Sequence, residues 1–387
     1  MSSEDWPQWR GPERTGVASW VSSPPSWPDA LVKRWQVSVG EGHSSPAVVG
    51  ELVYQFSREG EDEVVRALRL ADGETAWRAS YRAPYQMNPS ATAHGKGPKS
   101  SPLVTDGRVF VLGIDGMLSC YDAEDGGLVW QHDFKNLYPA TSPLYGHATS
   151  PLLAQGKLIT HIGGPGNGSI CALEPETGMM IWHHDGDGPG YASPIVVRLE
   201  RTRQIVTQTD AHIVGIALSE GSSLWKIPFK TPYDQNIQTP ILHGDRLIFS
   251  GLGKRTVAVT VEGNETRERW KKSVTFYMST PVLVGDRLIG FSDKKSGHFI
   301  ALEAKNGKTI WEGPPRQGDN AAIVAAGDWV LALTDNAELF ILRADADRFE
   351  PERTYSVADS PTWAHPVPTA EGILIKDKTT LTLWSLG

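Results

Sequence analysis

Four histidines stand shortly before prolines at well-separated places in the chain: His43 before Pro46, His94 before Pro102, His147 before Pro151 and His365 before Pro366. Neutral imidazoles gathered from separate segments are able to hold Zn²⁺ or Cu²⁺ or to move protons. No short-range ligand spacing accompanies these four, so hydrogen bonding to neighbouring loops is the expected role. Near the same or equivalent prolines stand Lys99, Tyr145, Tyr191, Asn236, Gln238, Tyr277, Asp319, Asn320 and Trp363. Such a set suits a polar organic ligand that also presents a stacking face. His183-His184-Asp185 is metal-like in composition, but it directly follows a tryptophan and reads as a solvated strand exit. There is no Gly-x-Ser-x-Gly elbow, and the Gly-rich run from Gly163 to Gly168 reads as a flexible loop between strands, with no helix N-terminus to hold an anion. No catalytic residue and no metal ligand is assigned.

A repeat must bring these residues together. Its clearest copy opens at Ser150-Pro151, divides two apolar runs at Gly156 and closes at Gly178 and Trp182. The opening prolines are Pro46, Pro102, Pro151, Pro194, Pro240, Pro281 and, after a gap, Pro366; the closing tryptophans are Trp77, Trp130, Trp182, Trp225, Trp270 and Trp311. A period of about 40–50 residues is the mark of a propeller, solenoid or array. Each copy reads as two β-hairpins with Gly-centred turns. Ala67, Ala172 and Ala301 hold a small position ten residues before the tryptophan, and each closing ring is expected to lie against the small residue of the next unit. The copy ending at Trp270 has a longer Gly263-Asn-Glu-Thr turn, and a seventh copy is degenerate, with Phe349 where the tryptophan belongs.

Seven four-stranded units fit between residue 44 and about 357, leaving three strands from His365 to Leu386. The missing fourth lies at the other end, in Leu31 to Val37 with its own Trp35. Pairing the two ends abolishes exposed sheet edges at the seam. The expected fold is therefore all-β: a single eight-bladed propeller over 31–387, preceded by a Trp/Pro-rich strap over 1–30. Trp35 and the six closing tryptophans are structural docking residues. The residues before each proline then converge on one mouth, with the connections 78–100 and 131–149 (Tyr81, Tyr85 and Tyr138 among them) forming a wall on one side. Trp6 and Trp9 are expected to pack onto the propeller, with Arg10 stacking or pairing nearby.

Net charge is −8 over 387 residues with no basic block, which argues against a nucleic-acid or anionic-membrane partner. No apolar run is long enough to span a bilayer. The first residues lack the basic and apolar parts of a signal peptide, so the chain is either cytoplasmic or begins after a removed leader. Cys120 and Cys171 fall one register step apart in successive units, so their side chains face opposite ways and no disulfide is expected.

Ala172-Leu-Glu-x-x-Thr-Gly-x-x-x-Trp182 and Ala301-Leu-Glu-x-x-x-Gly-x-x-x-Trp311 resemble the tryptophan-docking repeat of pyrroloquinoline-quinone-type propellers. That superfamily joins quinoprotein alcohol and glucose dehydrogenases with the non-catalytic BamB-type lipoproteins of outer-membrane assembly. Asp5-Trp-Pro-Gln-Trp-Arg-Gly-Pro12 and Pro361-Thr-Trp-Ala-His-Pro366 are similar to exported planctomycete-type members. The resemblance implies a periplasmic or otherwise exported binding or scaffolding protein without a cofactor, a monomer whose mouth takes a protein, peptide or glycan. The alternative it carries is an oxidoreductase using pyrroloquinoline quinone and Ca²⁺ on alcohols or sugars. Against that stand the absence of a Cys-Cys pair and a scarcity of mouth carboxylates, Asp319 and Asp234 being the candidates.

Overall fold

The computed structural model describes residues 4–21, 26–134 and 143–387. Eight sheets are arranged as an eight-bladed propeller, with successive blades opening at Ala47, Leu103, Leu152, Ile195, Ile241, Val282, Ala321 and Val367 (blades I to VIII). The first strand of each blade lies at the axis and the fourth at the rim. Blade VIII takes its outer strand, Val32–Ser38, from the other chain end; it runs antiparallel to Thr380–Ser385 with Trp35 opposite Leu383.

The tryptophans sit where the repeat predicts, but their bed is different. Ala67, Ala172 and Ala301 lie directly opposite the tryptophan of their own blade. The far side of five of the rings rests on the turn glycine of the next blade. A Cβ added at Gly73, Gly126, Gly178, Gly221 or Gly307 would come within 2.5–2.9 Å of Trp35, Trp77, Trp130, Trp182 or Trp270 respectively. These glycines also have φ near +70°, so the turn and the docking both require glycine. The indole N–H of Trp35, Trp77, Trp130, Trp270 and Trp311 donates to a carbonyl of the following blade at 2.7–3.0 Å. A bulge in the outer strand just before the ring turns it to face its neighbour.

Two joints depart. Trp225 donates to Gln204 of its own blade at 2.6 Å, because blade V carries the longer turn. In blade VII, Phe349 does not take the docking position; it packs back on Phe299 and Trp311 toward blade VI. The joint between VII and VIII is filled instead by Trp27, edge-on to Trp329 and buried with Tyr355 and Ile373. Cys120 and Cys171 are free thiols sharing the apolar cluster between blades II and III, since opposite facings on neighbouring blades meet at one joint. The run from Gly163 to Gly168 is a tight hairpin, not a flexible loop; Gly166 N–H donates to Asp210 at 2.6 Å.

A belt of hydroxyls encircles the axis at the opening prolines. Backbone N–H groups of His365, Ser45, Ser101 and Ser150 donate to the hydroxyls of Ser45, Ser101, Ser150 and Ser193, each on the next blade, at 2.8–3.0 Å. Thr239 continues it to Ser193 and Thr280. Blade VII opens with Asn320-Ala321 in place of Ser-Pro and breaks the belt.

The N-terminal segment fills this gap from inside the channel. Asp5 receives the Gly50 N–H at the lower turn of blade I, and Trp6 pairs with Val48 of the innermost strand. The chain then climbs to Trp9 and Arg10, turns, and descends, so that Val17–Ala18 forms a parallel fifth strand against Ala325–Ala326 of blade VII. Arg10 is 1% exposed and donates to the carbonyls of Thr280, Pro281, Thr15 and Ile323. Arg14 likewise donates to Ser150 and Pro151. Burial pushes both guanidinium groups down to about 9. Trp6 is fully buried in the cluster of blades VIII and I. Residues 5–18 thus form an axial plug.

Replacing Trp35 with Ala removes a buried ring at the seam and is expected to lower stability by about 3–5 kcal/mol in urea denaturation; a loss below about 1 kcal/mol would show the seam does not need it. Arg10→Ala strands several buried carbonyls and is expected to cost at least about 3 kcal/mol. Arg10→Lys is expected to recover little of that loss, since one ammonium cannot span the gap as the fork does.

Candidate functional site

Above the plug the mouth encloses a cavity of about 690 Å³. Of the residues expected there, His43, His94, Lys99, Tyr145, Tyr191, Tyr277, Asp319, Asn320, Trp363 and His365 do line it. Trp9 and the belt residues Ser45, Ser101, Ser193 and Thr280 form its floor. The cavity is closed below by the chain's own N-terminal segment.

His147, Asn236 and Gln238 are not in the wall. His147 points outward between the upper turns of blades II and III, donating from Nδ1 to the Ile114 carbonyl at 3.3 Å. Asn236 donates to the carbonyls of Thr209 and Phe229 at 2.6 and 2.7 Å. Gln238 receives the Ser250 N–H at 2.7 Å. All three secure loop backbone, because alternate residues of a strand lead-in point away from the axis. Tyr81 is also elsewhere, on the outer strand of blade I bonded to Glu63. Tyr85 lines a separate outer groove with Tyr233 and Asp234. Tyr138 lies outside the described residues.

The wall has two halves. From blade VIII round to blade IV runs an arc of rings in edge-to-face contact: His43–Trp363 at 5.8 Å, Trp363–His94 at 5.9 Å, His94–Tyr145 at 5.2 Å and Tyr145–Tyr191 at 5.7 Å. Gln235 continues it, donating to the Tyr145 hydroxyl at 2.8 Å and accepting from the Tyr277 hydroxyl at 2.5 Å. The other half, from blades VI and VII, presents Asp293, Ser296, Asp319 and Asn320. Sequence reading missed Trp9, Gln235 and Asp293. Gln235 stands only one residue before Asn236, a single register step that exchanges wall for support.

Charges divide the same way. Lys99 lies on the aromatic side with no carboxylate in ion-pair range among the described residues; burial pushes its ammonium down to about 8, with Glu63 opposing the shift. Glu63, fully buried, receives the Ile114 N–H at 3.0 Å and the Tyr81 hydroxyl. Burial raises its carboxyl to about 7. His43 donates from Nε2 to the His94 carbonyl at 2.9 Å, and burial with the Lys99 charge lowers it to about 3. His365 is lowered to about 3 by burial and then by Arg10. Opposite Lys99, burial raises the Asp293 carboxyl, and its Oδ1 has no hydrogen-bond partner among the described residues.

His43, His365 and the similarly buried His161 (about 4) are neutral when folded, while the unfolded chain protonates them near 6.5. Their contribution to stability is complete above pH 6.5 and is lost as pH falls toward 4 and below. Glu63 opposes this, because its raised pKa makes the folded state bind a proton more readily between about 7 and 4.5. Urea midpoints from pH 7 to 4 should therefore fall, less steeply in His365→Gln and more steeply in Glu63→Gln. Identical slopes in all three would contradict these environments.

His183 pairs with Asp185 at 3.0 Å, and His184 bonds the Gly221 carbonyl at 3.0 Å, so both serve the rim of blades III and IV. Among the described residues no helix is long and apolar enough to cross a membrane.

The outer membrane protein assembly factor BamB of Yersinia pestis is 23% identical over 258 residues, 66% of this chain and 60% of that protein's length. The chain therefore spans less than two thirds of that relative. The crystal structure of BamB from Moraxella catarrhalis superposes with a TM-score of 0.65 at 15% identity, covering 92% of this chain and 98% of the other. A europium-containing methanol dehydrogenase superposes with a TM-score of 0.69 at 14% identity, covering 100% and 90%. At these identities both structures speak to the fold alone. The family description "Outer membrane protein assembly factor BamB" matches residues 61–313, well over half of the sequence, and the chain belongs to that family.

Proposed function

We propose that the protein is a non-catalytic binding and scaffolding propeller working outside the cytoplasm, whose mouth receives a peptide, a protein loop or a glycan. The observation that carries this is the blind cavity of about 690 Å³, floored by Trp9 and walled by rings and hydrogen-bonding groups from most blades. That volume suits a small ligand or the tip of a loop. The aromatic arc offers apolar faces and edges, Lys99 offers a cation, and Asp293 and Asp319 offer acceptors across from it. Membership of a family described by outer membrane protein assembly supports a protein partner and an exported location.

Quinone chemistry does not fit this donor set. A Ca²⁺ ion takes six to eight oxygen ligands. The mouth supplies Asp293 and Asp319 on adjacent blades, and the described residues hold no group of three or more His, Cys, Asp or Glu able to gather round a metal. A flat cofactor also asks for facing planes, whereas the wall rings meet one another at 63–89°.

Peptide and glycan arrays probed with the wild type and a His94→Ala, Tyr145→Ala, Trp363→Ala variant test the site. Binding should fall by about tenfold or more in the variant; equal binding by both would place the function away from the mouth. Reconstitution with pyrroloquinoline quinone and Ca²⁺ should give no dye-linked oxidation of alcohols or sugars, and turnover would overturn the non-catalytic reading.

A further inference from the structure

The rim carries an apolar surface unconnected with the mouth. Among the described residues seven large hydrophobic side chains are exposed, and five of them stand together: Leu128, Val129, Met179, Met180 and Ile181. They belong to the outermost strands of blades II and III, or to the turns leading into them (Leu128–Asp133 and Met180–Gly186). The two groups are adjacent, because Trp130, next to Val129, rests on Gly178, next to Met179. Leu128 is 57% exposed and Met179 68%.

An outer strand is a free sheet edge, and proteins guard such edges with charge. Arg78, Lys226, Arg267, Arg353 and Lys33 do so on blades I, IV, V, VII and VIII. The outer strands of blades II, III and VI carry no Lys or Arg, and of these only II and III expose large apolar side chains among the described residues. The nearby charge is acidic: Glu124, Asp125, Glu174 and Glu176 are exposed on the two turns beside the patch. Arg108, at the same joint, is committed to Asp122 and Glu176 at 2.9 and 3.0 Å. Bulges at Val129 and Ile181 interrupt both edges, which favours recognition through side chains over addition of a further strand.

We propose that the joined rims of blades II and III form a docking surface for a basic amphipathic polypeptide segment of a partner protein. Its apolar side chains cover Leu128 and Met179 to Ile181, and its Lys or Arg residues meet the acidic turns. Apolar burial supplies affinity, and the acidic border sets the partner's charge and orientation.

The probe is a Leu/Lys peptide with helical spacing, measured by fluorescence anisotropy against the full chain, with a Leu/Glu peptide as control. The Leu/Lys probe should bind, weaken with salt, and protect amides in 128–133 and 179–185 from hydrogen exchange. Leu128→Ser with Met180→Ser keeps the charge and should weaken binding about tenfold or more. Glu124→Gln with Glu174→Gln should weaken it severalfold. These positions are exposed, so the melting temperature should stay unchanged and separates lost docking from lost folding. Equal affinity for both peptides, or for wild type and the Ser variant, would overturn the proposal. So would self-association by sedimentation that the Ser variant abolishes, or binding to phosphatidylglycerol vesicles through the same residues.

Discussion

The ring depends on one antiparallel pairing, in which Val32–Ser38 completes the sheet begun by Thr380–Ser385. Its hydrogen bonds join the chain ends, and its side chain Trp35 performs the same docking as Trp77, Trp130 and Trp270 at their joints. With Trp35 on Gly73 and its indole N–H on Leu70, blade VIII meets blade I as blade I meets blade II. The pairing completes the eighth blade, so the ring cannot open into a solenoid at the seam. The loops of distant segments then share one mouth.

The mouth is built by a second coupling, between belt and plug. Hydroxyl-to-backbone bonds pass from blade to blade until blade VII, which has neither Ser-Pro nor a docking tryptophan. Both absences are filled by the N-terminal segment: Arg10 ties together VI, VII and VIII at the belt, and Trp27 packs the joint with VIII. A buried guanidinium held by carbonyls and the His365 ring is costly to desolvate. It is held because its planar fork reaches several acceptors that the broken belt leaves open. The same segment sets Trp9 beneath His365, edge-on at 5.7 Å, so the element that seals the channel also shapes the site.

Much of this was legible in the sequence, for identifiable reasons. Tryptophans and glycines at fixed offsets reflect a joint repeated with little change, and the surplus strand at one end against a deficit at the other gave the closure. Individual mouth residues were less legible. Position before a proline places a residue near the axis, but a single register step decides whether it faces cavity or scaffold. That step separates Gln235 from Asn236. Glu63 was hidden because it lies on a strand and reaches Lys99 only across a blade joint. Arg10 was expected to stack or pair beside Trp6 and Trp9, but its partners Thr280, Pro281 and Ile323 were hidden because they lie far along the chain. The exchange of Phe349 for Trp27 was invisible for the same reason: substitution at a joint by a remote segment leaves no periodic trace.

Closure is tested most directly by a covalent link across the seam. Gln36 and Thr382 face one another in register, close enough for a cross-strand bridge when both are replaced by cysteine. In the oxidised, folded Gln36→Cys, Thr382→Cys variant, peptide mapping should recover one disulfide joining these two positions within a single chain. Two free thiols at these positions in folded protein, or a bridge only between chains, would contradict a ring sealed by its own ends.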